Sequence, residues 1–308
     1  MANIKEIMEE FRKSGEFKPE LINVGNTLRP EESSRFIDLI VAASDFLKRI
    51  TVEKCSRLKK DVNVWDFIQE TLQRVPEGKD PIDYTSLRNV GKQLDLADGT
   101  LFGFIPFSFL EDNAKNPRIE SLVQNKLSGV YSRDVVRMGF VGTKDDNSGG
   151  FRTLNKGWIQ LVKEASASKK VNVANYDAGS GSVDWSALLA EMIRSLPDIY
   201  KSDSAALIMT RADHEEYAEQ IGNRVAAHPV LFSGKTLTPL GYDIVLVEHM
   251  PRKHVLFTPL KNLVFGHGRD IQRFREMSGV KRGINYTINS YFDYQVAVDE
   301  AAVIAWVQ

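Results

Sequence analysis

Cysteine is nearly absent. Cys55 is the single one in 308 residues, so no disulfide within the chain can staple it and no oxidising compartment is needed for stability. An excess of one charge is missing too: 40 Lys and Arg against 41 Asp and Glu leave a net charge of −1, which argues against a strongly basic, histone-like coat. No apolar run reaches the length of a membrane span, and the opening MANIKEIMEEFRK has no signal-peptide core. The five histidines, His214, His228, His249, His254 and His267, show no HExxH or similar ligand spacing, and Cys55 is remote from them, so no metal site is expected. His249 and His254 flank a Pro-Arg turn and read as surface residues, while Cys55 reads as a small strand residue.

Catalytic signatures are equally thin. DAGSGS, Asp177 to Ser182, precedes a helix and resembles an anion-binding glycine loop, but it lacks both the Gly-Lys-Ser/Thr of a P-loop and the third glycine of a dinucleotide fingerprint. Asp145 and Asp146 lie in a Gly-rich loop where adjacent carboxylates are ordinarily solvated, and no serine occupies a nucleophile elbow. Neither cofactor nor catalysis is expected. At 43% hydrophobic and 26% charged, the chain has an ordinary globular composition, long enough for one sizeable core or two smaller ones.

Two long periodic segments stand out against this. In PRIESLVQNKLSGVYSRDVVRMGFVGT, the apolar residues Ile119, Leu122, Val123, Leu127, Val130, Tyr131, Val135 and Met138 follow the spacing of one buried helical stripe. Pro117 suits the first turn, and Gly139 and Gly142 bracket the expected stop. About 22 residues at 1.5 Å each give a rod of about 33 Å. Later, Ile284, Tyr286, Ile288, Ser290, Phe292, Tyr294, Val296 and Val298 alternate with mostly polar neighbours, as in a strand with one face buried. At about 15 residues it is far longer than the usual five or six. The rod's Ile119, Leu122, Leu127 and Val130 are expected to pack on the strand's even-numbered face.

Between and around these, residues 1 to 30 read as an amphipathic helix, with Ile4, Ile7, Met8 and Phe11 on one face, followed by an extended arm. That face is expected to dock on a neighbouring subunit or a scaffold, with packing on its own domain as the alternative. Phe36 to Ile50 reads as one helix and Thr51 to Phe67 as extended. A charged, turn-rich stretch follows to about Leu101. After a short helix from Trp158, a helix carries Trp185, Leu188, Leu189, Met192, Ile193, Leu196 and Ile199 on one face. A strand at Ala205 to Met209, a helix capped by Thr210, and strands at Asp243 to Val247, His254 to Phe257 and Leu263 to Phe265 complete an α/β region. From Arg252 to Arg282, eight basic residues (Arg252, Lys253, Lys261, Arg269, Arg273, Arg275, Lys281 and Arg282) face only Asp270 and Glu276. Contact with DNA phosphates or with acidic loops of adjacent subunits could use them, and the second is favoured.

The order of these segments resembles the major capsid proteins of tailed double-stranded-DNA bacteriophages, the Hong Kong 97 fold, and within them the temperate myophage, peduovirus-like branch. The residues that carry the resemblance are Phe36 to Ile50 (FIDLIVAASDFLKRI), Asp134 to Thr143 (DVVRMGFVGT) and Leu154 to Gln160 (LNKGWIQ), with a weaker echo from Leu231 to Pro251. It runs from about Pro30 to Val307. It implies an α+β fold in which the spine helix packs on an elongated antiparallel sheet beside a central α/β axial domain. Residues 1–61 would form an N-terminal arm and helix, and 62–110 an extended two-stranded loop. Segments 111–170 and 259–298 would make the peripheral domain, and 171–258 with 299–308 the axial domain. The loop residues Arg74, Val75, Lys79 and Asp83 would touch a neighbouring subunit. Leu231, Phe232 and Lys235 would meet their copies at the capsomer axis.

The function implied is a shell: pentamers and hexamers of one chain closing an icosahedral head around double-stranded DNA, held without sequence specificity. Partners would be a separate scaffolding protein, a portal and a decoration protein; no membrane is involved. The protein would reside in the virion after assembly in the host cytoplasm. Lys79 alone is no ground for the Lys–Asn cross-link some of the family carry, and none is expected. An encapsulin-type nanocompartment shell of the same fold is one alternative. A monomeric α/β nucleotide-binding enzyme using DAGSGS is the other.

Overall fold

The computed structural model describes residues 26–27, 30–62, 65–66, 88–89, 92–113, 119–144, 150–177, 182–202, 204–223 and 238–307. Its first elements are β1 (Asn26–Thr27), α1 (Pro30–Ala42), α2 (Asp45–Arg49), β2 (Thr51–Cys55), β3 (Lys59–Val62), β4 (Trp65–Asp66), β5 (Arg88–Asn89), β6 (Lys92–Asp95), β7 (Ala97–Pro106) and α3 (Phe107–Asp112). The spine helix α4 (Ile119–Val141) follows, then α5 (Trp158–Glu164), β8 (Lys169–Asn172), α6 (Trp185–Ser195), β9 (Ala205–Met209) and α7 (Arg211–Gly222). The chain ends with β10 (Asp243–Leu246), β11 (Val255–Pro259), β12 (Leu263–Gly268), β13 (Gln272–Ser278), β14 (Gly283–Val296) and β15 (Val303–Trp306). The fold is α+β, as the segment order implies.

The alternating segment becomes β14, and a sheet is laid down on both of its edges. One edge pairs antiparallel with β7, from Gly283↔Pro106 to Phe292↔Ala97. The other pairs first with β12, Leu263↔Val296 to His267↔Phe292, and then with β13, Gln272↔Asn289 to Ser278↔Gly283. β2 lies parallel to β12, and β1 lies antiparallel to β13. Every even residue from Ile284 to Val296 is buried and every odd one from Asn285 to Gln295 is half-buried. That difference fixes the register, since a slip of one residue would turn the whole apolar set to the other face.

A second sheet runs in the order β10-β9-β11-β15-β8. β9, Ala-Ala-Leu-Ile-Met, is buried throughout because both its faces are covered. Leu207 and Met209 meet Leu188, Leu189 and Met192 of α6, while Ala206 and Ile208 join a core shared with Trp158, Ile159 and Val162 of α5 and with the spine. Thr210 caps α7 by accepting from the Asp213 N–H at 3.1 Å.

The two sheets are joined by a double crossing. β11 continues into β12 through the turn Leu260–Asn262, while its neighbour β15 follows β14 through the turn Asp299–Ala301. Buried Asn262 ties the crossings together. Its Nδ2 donates to Val298 O at 2.9 Å and to Thr258 Oγ1 at 3.0 Å, and its Oδ1 accepts from Val298 N at 2.7 Å.

Three local expectations are corrected. Phe36 to Ile50 is two helices, because Ser44 adopts an extended conformation and caps α2, accepting from Leu47 N at 3.3 Å. Ile199 lies beyond the end of α6 and is exposed. On the spine, Leu122 and Val130 are 39% and 37% exposed, while Val123, Ser128, Tyr131, Ser132, Val135, Val136, Met138 and Phe140 are buried. The buried face is wider than the apolar pattern because two serines belong to it. Ser132 Oγ donates to Ile40 O at 2.8 Å, bringing α1 close to the spine. Leu127 is placed as expected, half-buried against the clusters that contain Tyr286 and Ile288. The side chain of Ile119 and the whole of Pro117 lie outside the described residues.

β3 pairs antiparallel with β6, and β4 with β5, while residues 97–106, within the stretch 62–110, pair along β14. Ile288→Ala should cost about 2–5 kcal/mol in urea unfolding of the subunit, and Leu122→Ala should stay within about 0.5 kcal/mol. Equal costs would place the wrong face of the spine inward.

Candidate functional site

The Asn-Lys-Gly-Trp run forms a clasp at the C-terminal end of the spine. The helix ends at Val141, between Gly139 and Gly142, which bracket the stop as expected. A Cβ on Gly139 would collide with the Trp158 ring, and one on Gly157 would collide with the Gly139 carbonyl. The ring lies against helix backbone, fully buried, and stacks edge-on to Tyr294 at 5.0 Å and Phe140 at 5.4 Å between centroids. Its Nε1 donates to Val264 O in β12 at 3.0 Å, and buried Asn155 Nδ2 donates to Phe292 O in β14 at 2.7 Å. Gly157 N donates to Gly142 O at 3.0 Å, closing the turn that ends the helix. Helix, turn and sheet are thus locked at one place by two glycines, one indole and one amide.

Midway along the spine the contact is polar. The Tyr131 hydroxyl lies 2.6 Å from Ser290 Oγ and 3.2 Å from His267 Nε2. His267 Nδ1 is 2.7 Å from Gly268 O, so Nδ1 carries the proton and Nε2 accepts from the phenol. Complete burial holds the imidazole neutral, down to about 4 from 6.5, and the same desolvation raises the Tyr131 phenol. Further along, Tyr294 Oη donates to Val135 O at 2.7 Å. His267 gave no signal in the sequence, since its side-chain partner Tyr131 is 136 positions away. Sequence reasoning missed this network.

The opposite face of the sheet is different. On β7 the residues facing the spine are small at Ala97, Gly99 and Gly103. A Cβ on Gly99 would collide with Phe292, and one on Gly103 would lie 2.8 Å from Leu127. The aromatic residues point the other way. Phe102 is 76% exposed and Phe104 48%. Phe102 and Phe274 both pair with Thr287 on opposite edges of β14, so the exposed rings share one row across three strands. Exposed rings gathered on one face of a sheet mark an interaction surface.

β6 is fastened to the C-terminal part of β14 and the turn that follows it. Asp95 N donates to Asp293 Oδ2 at 2.9 Å, Gln295 Nε2 donates to Gln93 O at 3.1 Å, and Lys92 pairs with Asp299. Burial raises the Asp293 carboxyl to about 6. Leu94 and Leu96 pack on Cys55 and Val264, and burial pushes the Cys55 thiol up.

Several basic residues of the 252–282 run are engaged within the chain. Arg252 pairs with Glu216 and stands 3.6 Å from buried Asp213, Lys261 Nζ donates to Ile50 O at 3.1 Å, and Arg275 lies over the Tyr286 ring at 5.4 Å. His254 is half-buried rather than superficial, 3.0 Å from Lys163 Nζ. The residues expected at subunit contacts, Arg74, Val75, Lys79 and Asp83, and Leu231, Phe232 and Lys235, all lie outside the described residues, as do 178–181 of DAGSGS. Among the described residues no three His, Cys, Asp or Glu gather in metal-ligand geometry, and no helix is long and apolar enough to cross a membrane.

The profile of the phage capsid family matches residues 24–305. No curated protein matches the sequence. The chain is similar in structure to a subunit of the satellite phage P4 procapsid, which includes a size determination (Sid) protein, at TM-score 0.67 and 17% identity over 89% of this chain and 99% of that one. A capsid subunit of an empty GTA particle aligns at 0.59 and 14%, covering 92% of each chain. The SrpI encapsulin of Synechococcus elongatus PCC 7942 aligns at 0.56 and 11%, over 86% of this chain and 88% of that one.

His267 sets a testable pH limb. Its pKa falls from 6.5 to about 4 on folding, so between those values the unfolded chain binds a proton that the folded chain refuses. Stability should fall by about 1.4 kcal/mol per unit as pH drops through that window. In His267→Gln this limb should be missing, so that the difference between the two unfolding profiles carries it; parallel profiles would remove His267 from the limb.

Proposed function

Because the chain belongs to the phage capsid family and is a major capsid protein rather than an enzyme, we propose that its copies form the pentamers and hexamers of an icosahedral head closed around double-stranded DNA. The observation that carries the assembly reading is the outward row of Phe102, Phe104 and Phe274. An isolated soluble subunit gains nothing from exposing three rings, whereas a neighbour that covers them gains buried apolar area in every copy. Repetition then makes modest contacts sufficient for a closed shell.

The finer assignments rest on the resemblance. In our reading 111–170 with 259–298 form the peripheral domain, 171–258 with 299–308 the axial domain, 1–61 the arm, and 62–110 the loop region. The segment holding Arg74, Val75, Lys79 and Asp83 reaches a neighbouring subunit, and Leu231, Phe232 and Lys235 stand at the capsomer axis. The GFVGT and LNKGW segments, together with the likeness to the P4 procapsid subunit, support placement in the temperate myophage, peduovirus-like branch. A scaffolding protein, a portal, a decoration protein, assembly in the host cytoplasm and residence in the virion belong to the same reading. Basic residues of the 252–282 run not engaged within the chain would serve contacts between subunits. The likeness to the SrpI encapsulin supports one second reading, a shell of the same fold around protein cargo.

Electron microscopy of the expressed chain with its purified contents separates these readings. Closed particles holding nucleic acid are expected; particles holding protein cargo would favour the compartment, and a persistent monomer would defeat both. Phe102→Ser with Phe104→Ser should leave subunit melting within a few degrees and reduce assembly severely. Unfolding instead would make these rings core. Deleting Val75 to Asp83 should likewise give a folded subunit that does not close shells, and normal shells from that deletion would remove the loop from the contact.

A further inference from the structure

β7 is an edge strand. Its ten residues, Ala97 to Pro106, pair along one side with β14, and no other described strand pairs with its opposite side. The bond from Phe107 N to Arg282 O at 3.0 Å sets the phase of the ladder. In an antiparallel pair every second residue turns both its N–H and its C=O toward the partner. Ile105, Gly103, Leu101, Gly99 and Ala97 therefore face β14 with their backbones, and the approach of Ser290 Oγ to Gly99 O at 3.4 Å agrees with this. Asp98, Thr100, Phe102 and Phe104 turn both groups away from β14. Pro106, which has no N–H, ends the row of outward donors.

Asp98, Thr100, Phe102 and Phe104 also carry exposed side chains. Outward backbone and outward rings thus belong to one surface. Soluble proteins blunt such an edge with lysines, a proline, a bulge or a covering element. From Ala97 to Ile105 there is one charge, Asp98, and no proline, and the unbroken register with β14 leaves no bulge. An edge left in this condition is a template for one more strand.

We propose that the outer edge of β7 receives an extended strand from a second copy of this chain, which bonds to the backbones of Asp98, Thr100, Phe102 and Phe104 and packs its side chains beside the two rings. The identity of the partner rests on the shell reading. An edge present in every subunit needs a partner present in equal number, and in a shell built of one chain that partner is another copy. Strand pairing supplies what ring burial alone does not, a direction and a register. An apolar patch can be covered at many angles, whereas a strand edge admits only alignment along it.

Residue-resolved amide hydrogen exchange on the lone subunit, and on particles assembled from this chain alone, tests it. The amides of Leu101, Gly103 and Ile105, which face β14, should be protected in both. Those of Thr100, Phe102 and Phe104 should exchange freely in the subunit and at least about tenfold more slowly in particles. Protection already present in the subunit would mean that the chain covers its own edge, and free exchange in particles would mean that the edge stays bare; either result overturns the proposal. Protection that arises only when a second protein is added to the particles overturns it too. Thr100→Pro removes one outward donor and no bond to β14, so the subunit should melt within a few degrees of the unaltered chain while particles are lost. Undiminished assembly of folded Thr100→Pro subunits would overturn the pairing, and should that variant fail to fold, the exchange pattern decides. An unaltered chain that forms no particles defeats the shell reading itself and removes this partner with it, an outcome distinct from particles with a bare edge.

Discussion

The fold depends on the contact of one indole with a stretch of helix backbone. Trp158 can lie on the spine only because Gly139 has no Cβ, and the chain can return to place it only because Gly157 clears the Gly139 carbonyl. Once seated, the ring fixes the distance between the spine and the sheet through Val264 and Tyr294. It also sets where α5 lies, and α5 fills the core between the two sheets. A side chain at Gly157 would have to displace helix backbone, and one at Gly139 would have to displace the Trp158 ring itself. Misplacement there would propagate to both sheets.

From that fixed end, the rest of the spine contact changes character along its length. It is aromatic at the clasp, polar at Tyr131, His267 and Ser290, and aliphatic near Leu127 and Ile288. β7 accommodates it by an inverted pattern, glycine inward and phenylalanine outward. Small inward residues let Phe292 and Leu127 lie close to the strand, and the rings so displaced become the surface offered to a partner. Packing inside the subunit and stickiness outside are therefore two results of one residue pattern.

Legibility followed the number of faces an element buries. β14 was readable because one face is covered and the other is not, so the alternation survives in the letters. The spine was readable as a helix, and Val123, Tyr131, Val135 and Met138 lie on its buried face as expected, but the full width of that face was not legible. Ser128 and Ser132 are both buried, Ser132 with its hydroxyl on Ile40 O of α1, a reason that apolar spacing does not register, and Leu122 and Val130 look apolar yet face outward. Asn155 to Trp158 was visible as a resemblance, although its clasp geometry was not. The basic run looked like a surface for partners because Glu216 and Asp213 stand 36 and 39 positions before Arg252. His267, uncharged in a core, is indistinguishable in sequence from a histidine in water.

The double crossing at Asn262 has a mechanical meaning. The two sheets are connected by paired strands whose hydrogen bonds lie across the direction of the chain. Tension along β14 therefore meets those bonds in shear, loading several at once instead of opening them one by one. The Asn262 amide, bonded to both segments at the bend, lies where such a load would otherwise begin to peel them apart. Flexure about the line between the two turns leaves the bonds intact, whereas stretching and twisting oppose them, so the joint is compliant about one axis and stiff about the others.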